Sequence, residues 1–136
     1  MNFNDLKCSS NPRTIKNYNS LRPDFQPWVV KVLAELESLG WEPIIFEGRR
    51  TIEEQREKVK LGYSKTMKSR HLTGYAVNIV DKDVLWKDKH PKLKDYAETI
   101  QAISEDLGLV SGAIWKSFGP YGDFAHVECP PALRRS

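Results

Sequence analysis

One amphipathic helix constrains the fold of this chain more than any other part of its sequence. The apolar residues of this segment recur at the spacing of one helical face: Phe25, Trp28, Val29, Val32, Leu33, Leu36 and Leu39. Pro23 and Pro27 fall near its first turn, where proline is tolerated, and Gly40 follows as a typical end to a helix. We therefore predict an amphipathic helix over residues 25–39.

Short apolar segments elsewhere in the sequence predict strands. Residues 43–50 include Ile44, Ile45 and Phe46 before a bend at Gly48. Residues 75–80 read YAVNIV, and residues 124–129 read FAHVEC before two prolines stop the segment. These segments lie in three separate parts of the chain.

Two further helices are predicted between these strands. Residues 51–61 predict a polar helix, with Thr51 as its N-cap and Glu54 completing a capping box. A second amphipathic helix is closed by Gly108. Its apolar face is marked by Leu93, Ala97, Ile100, Ile103 and Leu107. Strands in three places with helices between them predict an α+β fold.

The remaining segments are polar. The first twenty residues are turn-rich and predict an N-terminal arm packed on the domain. Residues 62–70 predict a basic loop, and residues 81–91 predict a charged loop that could contain a hairpin. The length of 136 residues predicts one domain over residues 1–136 and leaves open a further C-terminal segment.

Charge and composition exclude several classes of protein. There are 21 basic and 18 acidic residues, and the net charge of +3 is too small to indicate a nucleic-acid-binding protein. No apolar run is long enough to span a membrane, and no ordinary signal peptide is visible at the N-terminus. Cys8 and Cys129 are therefore predicted to be free thiols of a protein made in a reducing compartment.

Two histidines lie where they could carry chemistry. His71 and His126 each flank a predicted strand, whereas His90 lies in a lysine-rich loop. The residues alone leave two interpretations open, two structural histidines or a metal site, since neutral imidazole is the commonest protein ligand of zinc. A catalytic zinc needs a third protein ligand. Position 78 would suit this role but holds asparagine, and Asp123 and Glu128 offer carboxylates beside His126.

Three blocks of the sequence, in order, resemble one family. Residues 69–78, SRHLTGYAVN, are similar to the SxHxxGxAxD motif of the zinc D-Ala-D-Ala carboxypeptidases. Residues 115–118, WKSF, and residues 123–128, DFAHVE, resemble the WxxF and DxxHxE segments of that family. Residues 48–51, GRRT, and Gln55 resemble its G-x-R-[ST]-x-x-x-Q motif. The family includes the VanX and VanY enzymes and the L-alanyl-D-glutamate endopeptidases of phage endolysins, and the small size fits the phage branch best.

The resemblance implies a fold, a cofactor and a metal site. The implied fold is a small antiparallel sheet with packed helices, and the implied cofactor is Zn²⁺. His71, Asn78 and His126 match the three metal-ligand positions. Glu128 matches a residue that orients one of these ligands.

The resemblance also implies a reaction. The implied substrate is the peptide stem of bacterial peptidoglycan, with the L-alanyl–D-glutamate bond as the expected target. Asp123 matches the general base that takes a proton from the attacking water, and Arg50 matches the arginine that contacts substrate near the scissile carbonyl. Such an enzyme is expected to be a monomer that is made in the host cytoplasm and reaches the cell wall after the membrane is breached.

One residue departs from the family pattern. The third ligand of the family is aspartate, whereas this chain has Asn78, whose neutral amide is a poorer ligand for zinc. Asp81 is a conceivable substitute, but three residues along a strand it would point to the opposite face. The chain is either a natural inactive relative or an engineered inactive form, and the otherwise intact motif favours the second. The alternative function is a non-catalytic peptidoglycan-binding relative, against which the retained Asp123 counts.

Overall fold

A computed structural model describes residues 1–115 and 119–134 of the chain. Its α-helices are α1 (Pro12–Ser20), α2 (Gln26–Ser38), α3 (Ile52–Lys60) and α4 (Leu93–Asp106). Its strands are β1 (Pro43–Glu47), β2 (Ala76–Asp81), β3 (Val110–Ser111) and β4 (His126–Glu128). The strands form one antiparallel sheet in the order β1-β2-β4-β3, which confirms the predicted α+β fold. None of the helices in the described ranges is long and apolar enough to cross a bilayer.

The two predicted amphipathic helices supply much of the core. α2 and α4 contact each other, and both contribute fully buried side chains such as Leu33, Leu36 and Ile100. The Tyr96 hydroxyl of α4 donates a hydrogen bond to the Ile79 carbonyl at 2.7 Å. Since Ile79 belongs to β2, this bond ties α4 to a central strand of the sheet.

The predicted N-terminal arm contains a helix that the sequence analysis did not identify. In α1, the Asn11 side chain accepts a hydrogen bond from the Thr14 backbone N–H at 3.0 Å, and Pro12 occupies the first turn. Thr14 Oγ1 accepts from the Ile45 N–H at 3.2 Å, and Asn17 Nδ2 donates to the Ile45 carbonyl at 2.8 Å. The buried face of α1 is polar because its side chains form hydrogen bonds with the backbone of the edge strand β1. The helix therefore lacks an apolar periodicity.

The suggestion of a hairpin within residues 81–91 is wrong. In the described structure, residues 82–92 form turns without a strand. Asp81 organises the start of this loop because its Oδ1 accepts from the Glu42 N–H at 2.9 Å, while its Oδ2 accepts from the N–H groups of Asp83 and Val84 at 3.0 and 3.1 Å. Asp81 pairs with Pro43, and its carboxylate is committed to backbone donors.

The three bonds that Asp81 accepts generate a stability prediction. Asp81→Ala is expected to lower the free energy of unfolding by about 3 kcal/mol, because three backbone donors lose a buried, charged acceptor. Asp88→Ala, at an exposed position of the same loop, is the matched control and should change this free energy by less than about 0.5 kcal/mol. Chemical denaturation measures both variants. Equal stability of the two variants would contradict the role given to Asp81.

Candidate metal centre

Three polar side chains lie in one row across three strands. The register of β1 with β2 places Glu47 opposite Asn78, and the register of β2 with β4 places Asn78 opposite His126. Directly opposed residues of antiparallel strands share one face of the sheet, with Cβ atoms about 5 Å apart. The sheet therefore brings a carboxylate, an amide and an imidazole together on one face.

A bulge in β1 puts Glu47 into this row. Ile45 pairs with Ile79. Two residues later Glu47 pairs with Asn78, only one residue back along β2, so Phe46 is an extra residue on β1. Side chains alternate between the two faces of a regular strand, so without the extra residue Glu47 would share the face of Ile45, which is part of the core. The bulge turns the Glu47 carboxylate toward Asn78 instead.

His71 reaches the same site from a short 3-10 helix, Arg70–Thr73, that precedes β2. Its ring centroid lies 5.0 Å from that of His126, and its side chain is almost fully buried. The Gly48 carbonyl lies 2.8 Å from Nδ1 and accepts its proton, which leaves Nε2 with a free lone pair and without a hydrogen-bond partner. Burial, together with the nearby His126 and Arg50, lowers the pKa of His71 to about 3, so the ring is neutral.

The His126 ring is held through Nε2, whereas the His71 ring is held through Nδ1. Its Nε2 lies 2.8 Å from Oε1 of Glu128, so the carboxylate favours the tautomer with the proton on Nε2. The lone pair then resides on Nδ1, which lies 3.9 Å from Oδ2 of Asp123. The Trp115 ring packs against the imidazole with 4.7 Å between ring centroids.

Asn78 completes the set of potential ligand atoms. Its Nδ2 donates to Oε2 of Glu47 at 3.2 Å, while its Oδ1 is buried and has no hydrogen-bond partner. Metal-binding histidines commonly donate their second ring N–H to a carbonyl or carboxylate, as both histidines do here. His71 Nε2, His126 Nδ1 and Asn78 Oδ1 therefore fit a metal ion as a neutral ligand set. No group of three His, Cys, Asp or Glu side chains suited to a metal occurs in the described ranges, because the third member here is an amide.

Glu47 is a functional candidate that the sequence analysis missed. Its Oε1 accepts from Nε of Arg50, its Oε2 accepts from Nη2 at 2.9 Å, and Lys58 Nζ lies 3.9 Å from Oε2. Burial would raise the pKa of Glu47, but the hydrogen bonds and charge of Arg50 outweigh this effect and lower the pKa. An acidic residue at the end of an apolar strand was the available signal in the sequence.

Asp123 lies beside the histidine pair on a loop that packs closely against the backbone of Gly112. The Asp123 N–H donates to the Gly112 carbonyl at 2.8 Å, and a Cβ at position 112 would lie 2.2 Å from the Asp123 carbonyl oxygen. Burial raises the pKa of the Asp123 carboxyl, although the neighbouring His126 and the Arg50 guanidinium oppose the shift. A raised pKa suits a carboxylate that has to accept a proton near neutral pH.

A cleft of about 640 Å³ gives access to these groups. His71, His126, Asp123, Glu128 and Arg50 all line it, together with residues of the basic segment 63–70. The structure therefore gathers the predicted catalytic and orienting residues in one cleft, with Asn78 behind them in the sheet.

Two parts of the predicted site lie elsewhere. Asp81, the conceivable substitute ligand, holds backbone donors at the opposite end of β2 and does not join the row. Lys116, Ser117 and Phe118 of the WKSF segment lie outside the described residues.

The chain is similar to known peptidases over most of its length. A model of the phage L-alanyl-D-glutamate peptidase family matches residues 6–129. An L-alanyl-D-glutamate peptidase of Listeria phage A118 is 33% identical over 106 residues, which are 78% of this chain and 38% of that protein. This chain thus spans well under half the length of that relative.

Solved structures support the fold. The L-Ala D-Glu endopeptidase ChiX of Serratia marcescens aligns with a TM-score of 0.64 and 26% identity, covering 88% of this chain and 87% of its own. VanYB, solved in complex with D-alanine-D-alanine, aligns with a TM-score of 0.54 and 18% identity, covering 79% of this chain and 70% of its own. The second likeness shows a shared fold.

The burial of neutral His71 generates a pH prediction for the metal-free protein. The unfolded histidine takes up a proton near pH 6.5, whereas the folded one does so only near pH 3. Between these values the unfolded state binds the extra proton, so the free energy of unfolding falls as the pH is lowered, by up to about 1.4 kcal/mol per pH unit. Denaturation in EDTA from pH 6 to pH 4 should show this slope.

His71→Gln should lose that part of the slope, because the titrating group is gone. His90→Gln, in the loop after β2, is the matched control and should retain it. An unchanged slope in His71→Gln would show that His71 is not held neutral in the folded protein.

Proposed function

The chain belongs to the phage L-alanyl-D-glutamate peptidase family, and we propose that it hydrolyses peptide bonds in the peptide stems of bacterial peptidoglycan. We propose zinc as its metal and the L-alanyl–D-glutamate bond as its target. One arrangement carries the proposal: Nε2 of His71 is buried without a hydrogen-bond partner, and the bond between Nε2 of His126 and Glu128 directs the lone pair of His126 to Nδ1.

The metal would be held by three groups, His71 Nε2, His126 Nδ1 and Asn78 Oδ1. Zinc bound there would supply a Lewis acid that polarises the scissile carbonyl. The Gly48 carbonyl and Glu128 orient the two imidazole rings before any metal arrives. For His71, burial also lowers the pKa to about 3, so its ligand nitrogen is deprotonated, as metal binding requires.

Asp123 and Arg50 would act on the substrate. Asp123 would take the proton of the attacking water and return it to the leaving amine, and its raised pKa supports this exchange. The Arg50 guanidinium lines the same cleft and would donate hydrogen bonds to the oxygen on which negative charge develops. Its bonds to Glu47 and Gln55 together hold its orientation before substrate binds.

A non-catalytic role is the second candidate, and Asn78 is the observation that favours it. The amide adds no charge to the metal site and is held in place by Glu47. A neutral ligand set binds zinc more weakly than one that contains a carboxylate. Such a chain would recognise wall peptides in the cleft without cleaving them.

Asn78→Asp separates the two functions. The new carboxylate adds a negative charge to the ligand set, so zinc affinity should rise at least tenfold, about 1.4 kcal/mol, and peptidoglycan hydrolysis should appear or increase strongly. The metal-free variant should melt at a lower temperature than the parent, because the carboxylate replaces the amide that donates to Glu47 at 3.2 Å. Zinc titration, thermal melts with and without EDTA, and release of peptides from cell walls measure these effects.

Asn4→Asp, an exposed position near the N-terminus, is the matched control for the added charge and should leave all three readouts unchanged. Equal zinc affinity of Asn78→Asp and the parent would show that position 78 is not a ligand. Tighter zinc binding without hydrolysis would favour the non-catalytic function.

A further inference from the structure

Gln55 of α3 is a fully buried polar residue whose side chain connects two parts of the cleft. Its Oε1 accepts a hydrogen bond from Nη1 of Arg50 at 2.9 Å. Its Nε2 donates to Oγ of Ser64 at 2.9 Å and to the carbonyl of Thr66 at 2.6 Å. The acceptor end of one amide thus holds the arginine, and the donor end holds residues 62–69, which we call the cleft loop.

The cleft loop is a wall of the cleft with little apolar burial of its own. Tyr63, Lys65, Thr66 and Lys68 are exposed, and all four line the cleft. Its internal bonds are local, such as the Lys68 N–H to Oγ1 of Thr66 at 2.9 Å. A segment of this kind opens at low free-energy cost unless polar contacts to a rigid element hold it. Gln55, on a capped helix, provides such contacts.

Arg50 has limited freedom because its donors are largely occupied. The guanidinium carries five N–H groups, of which Glu47 takes one on Nε and one on Nη2, while Gln55 takes one on Nη1. One N–H remains on each terminal nitrogen. Gln55 therefore supplies the third of the three bonds that hold the plane of the guanidinium.

We infer that Gln55 is a positioning residue that couples the orientation of Arg50 to the conformation of the cleft loop. The acceptor end of the amide holds the guanidinium toward the reacting carbonyl, the donor end holds the cleft loop against α3, and loss of the amide releases both. The effect on turnover rests on the proposed peptidase function. The mechanical coupling itself rests only on the contacts of Gln55.

Two variants separate the two ends of the amide. Gln55→Met removes all three hydrogen bonds at similar volume. Gln55→Glu keeps an acceptor for Arg50 but loses the donors to the loop and sets a carboxylate against the Thr66 carbonyl. Gln101→Met, on α4, is the matched control, because the Gln101 amide bonds only the exposed Glu105 among the contacts described here.

Trypsin reports on the loop, because Lys65 and Lys68 are exposed cleavage sites within it. Cleavage at these lysines should be at least fivefold faster in both Gln55 variants than in the parent or in Gln101→Met. NMR reports on Arg50: its Nη1 proton signals, assigned by their loss in Arg50→Lys, should show restricted rotation in the parent and in Gln55→Glu. In Gln55→Met this restriction should be lost. Neither readout needs peptidase activity.

Kinetics in the Asn78→Asp background supply the third readout. Gln55→Met should lower kcat at least tenfold, Gln55→Glu should recover most of that loss while KM stays raised, and Gln101→Met should behave as the background does.

Unchanged trypsin cleavage in Gln55→Met, or unchanged Arg50 signals in that variant, would overturn the coupling. If Gln55→Met does not fold, Gln55→Glu decides, and loss of the restricted Arg50 signals there would overturn it. Absence of hydrolysis in every variant would refute the peptidase function and leave the first two readouts as the test.

Discussion

The antiparallel register of β1, β2 and β4 is the constraint on which the candidate site depends. Glu47, Asn78 and His126 share a row only because each pairs directly with its neighbour. A shift of one residue in either pairing would send a member of the row to the other face of the sheet. The bulge at Phe46 makes the row possible without exposing Ile45. The same strand therefore places Ile45 in the core and Glu47, two residues later, in the row with Asn78.

The two histidines are prepared for a ligand in opposite ways. His71 is anchored through Nδ1 to a backbone carbonyl, and His126 is anchored through Nε2 to a carboxylate. Each anchor fixes a tautomer and leaves a lone pair on the other nitrogen. The third position differs because Asn78 gives a neutral oxygen, while the negative charge nearby belongs to Glu47 and is already paired with Arg50. The negative charge next to this ligand position is therefore carried by Glu47 and not by the ligand itself.

The sequence predicted the parts of this structure that depend on apolar periodicity or on motif spacing. The two amphipathic helices, the capped helix α3 and the strands β1, β2 and β4 follow from local patterns, and the pairing of His71 with His126 in one cleft follows the order of the motifs. Helix α1 was not predicted because its buried side chains are polar and form hydrogen bonds with the backbone of Ile45. The role of Glu47 was not predicted because it depends on a bulge. A bulge arises from the pairing of two strands that are distant in sequence, and local patterns do not reveal this pairing. Gln55 was visible as a motif residue, but its role depends on its contacts with Arg50, Ser64 and Thr66.

The most direct test of the metal centre is anomalous diffraction at the zinc edge from crystals of this chain grown with excess zinc. We expect one strong peak about 2.0–2.2 Å from His71 Nε2, His126 Nδ1 and Asn78 Oδ1, with the bond between His126 Nε2 and Glu128 intact. A zinc ion bound to His126 through Nε2 with Glu128 displaced would contradict the assigned tautomers. Absence of zinc between the two histidines at saturating metal would contradict the metal centre as a whole.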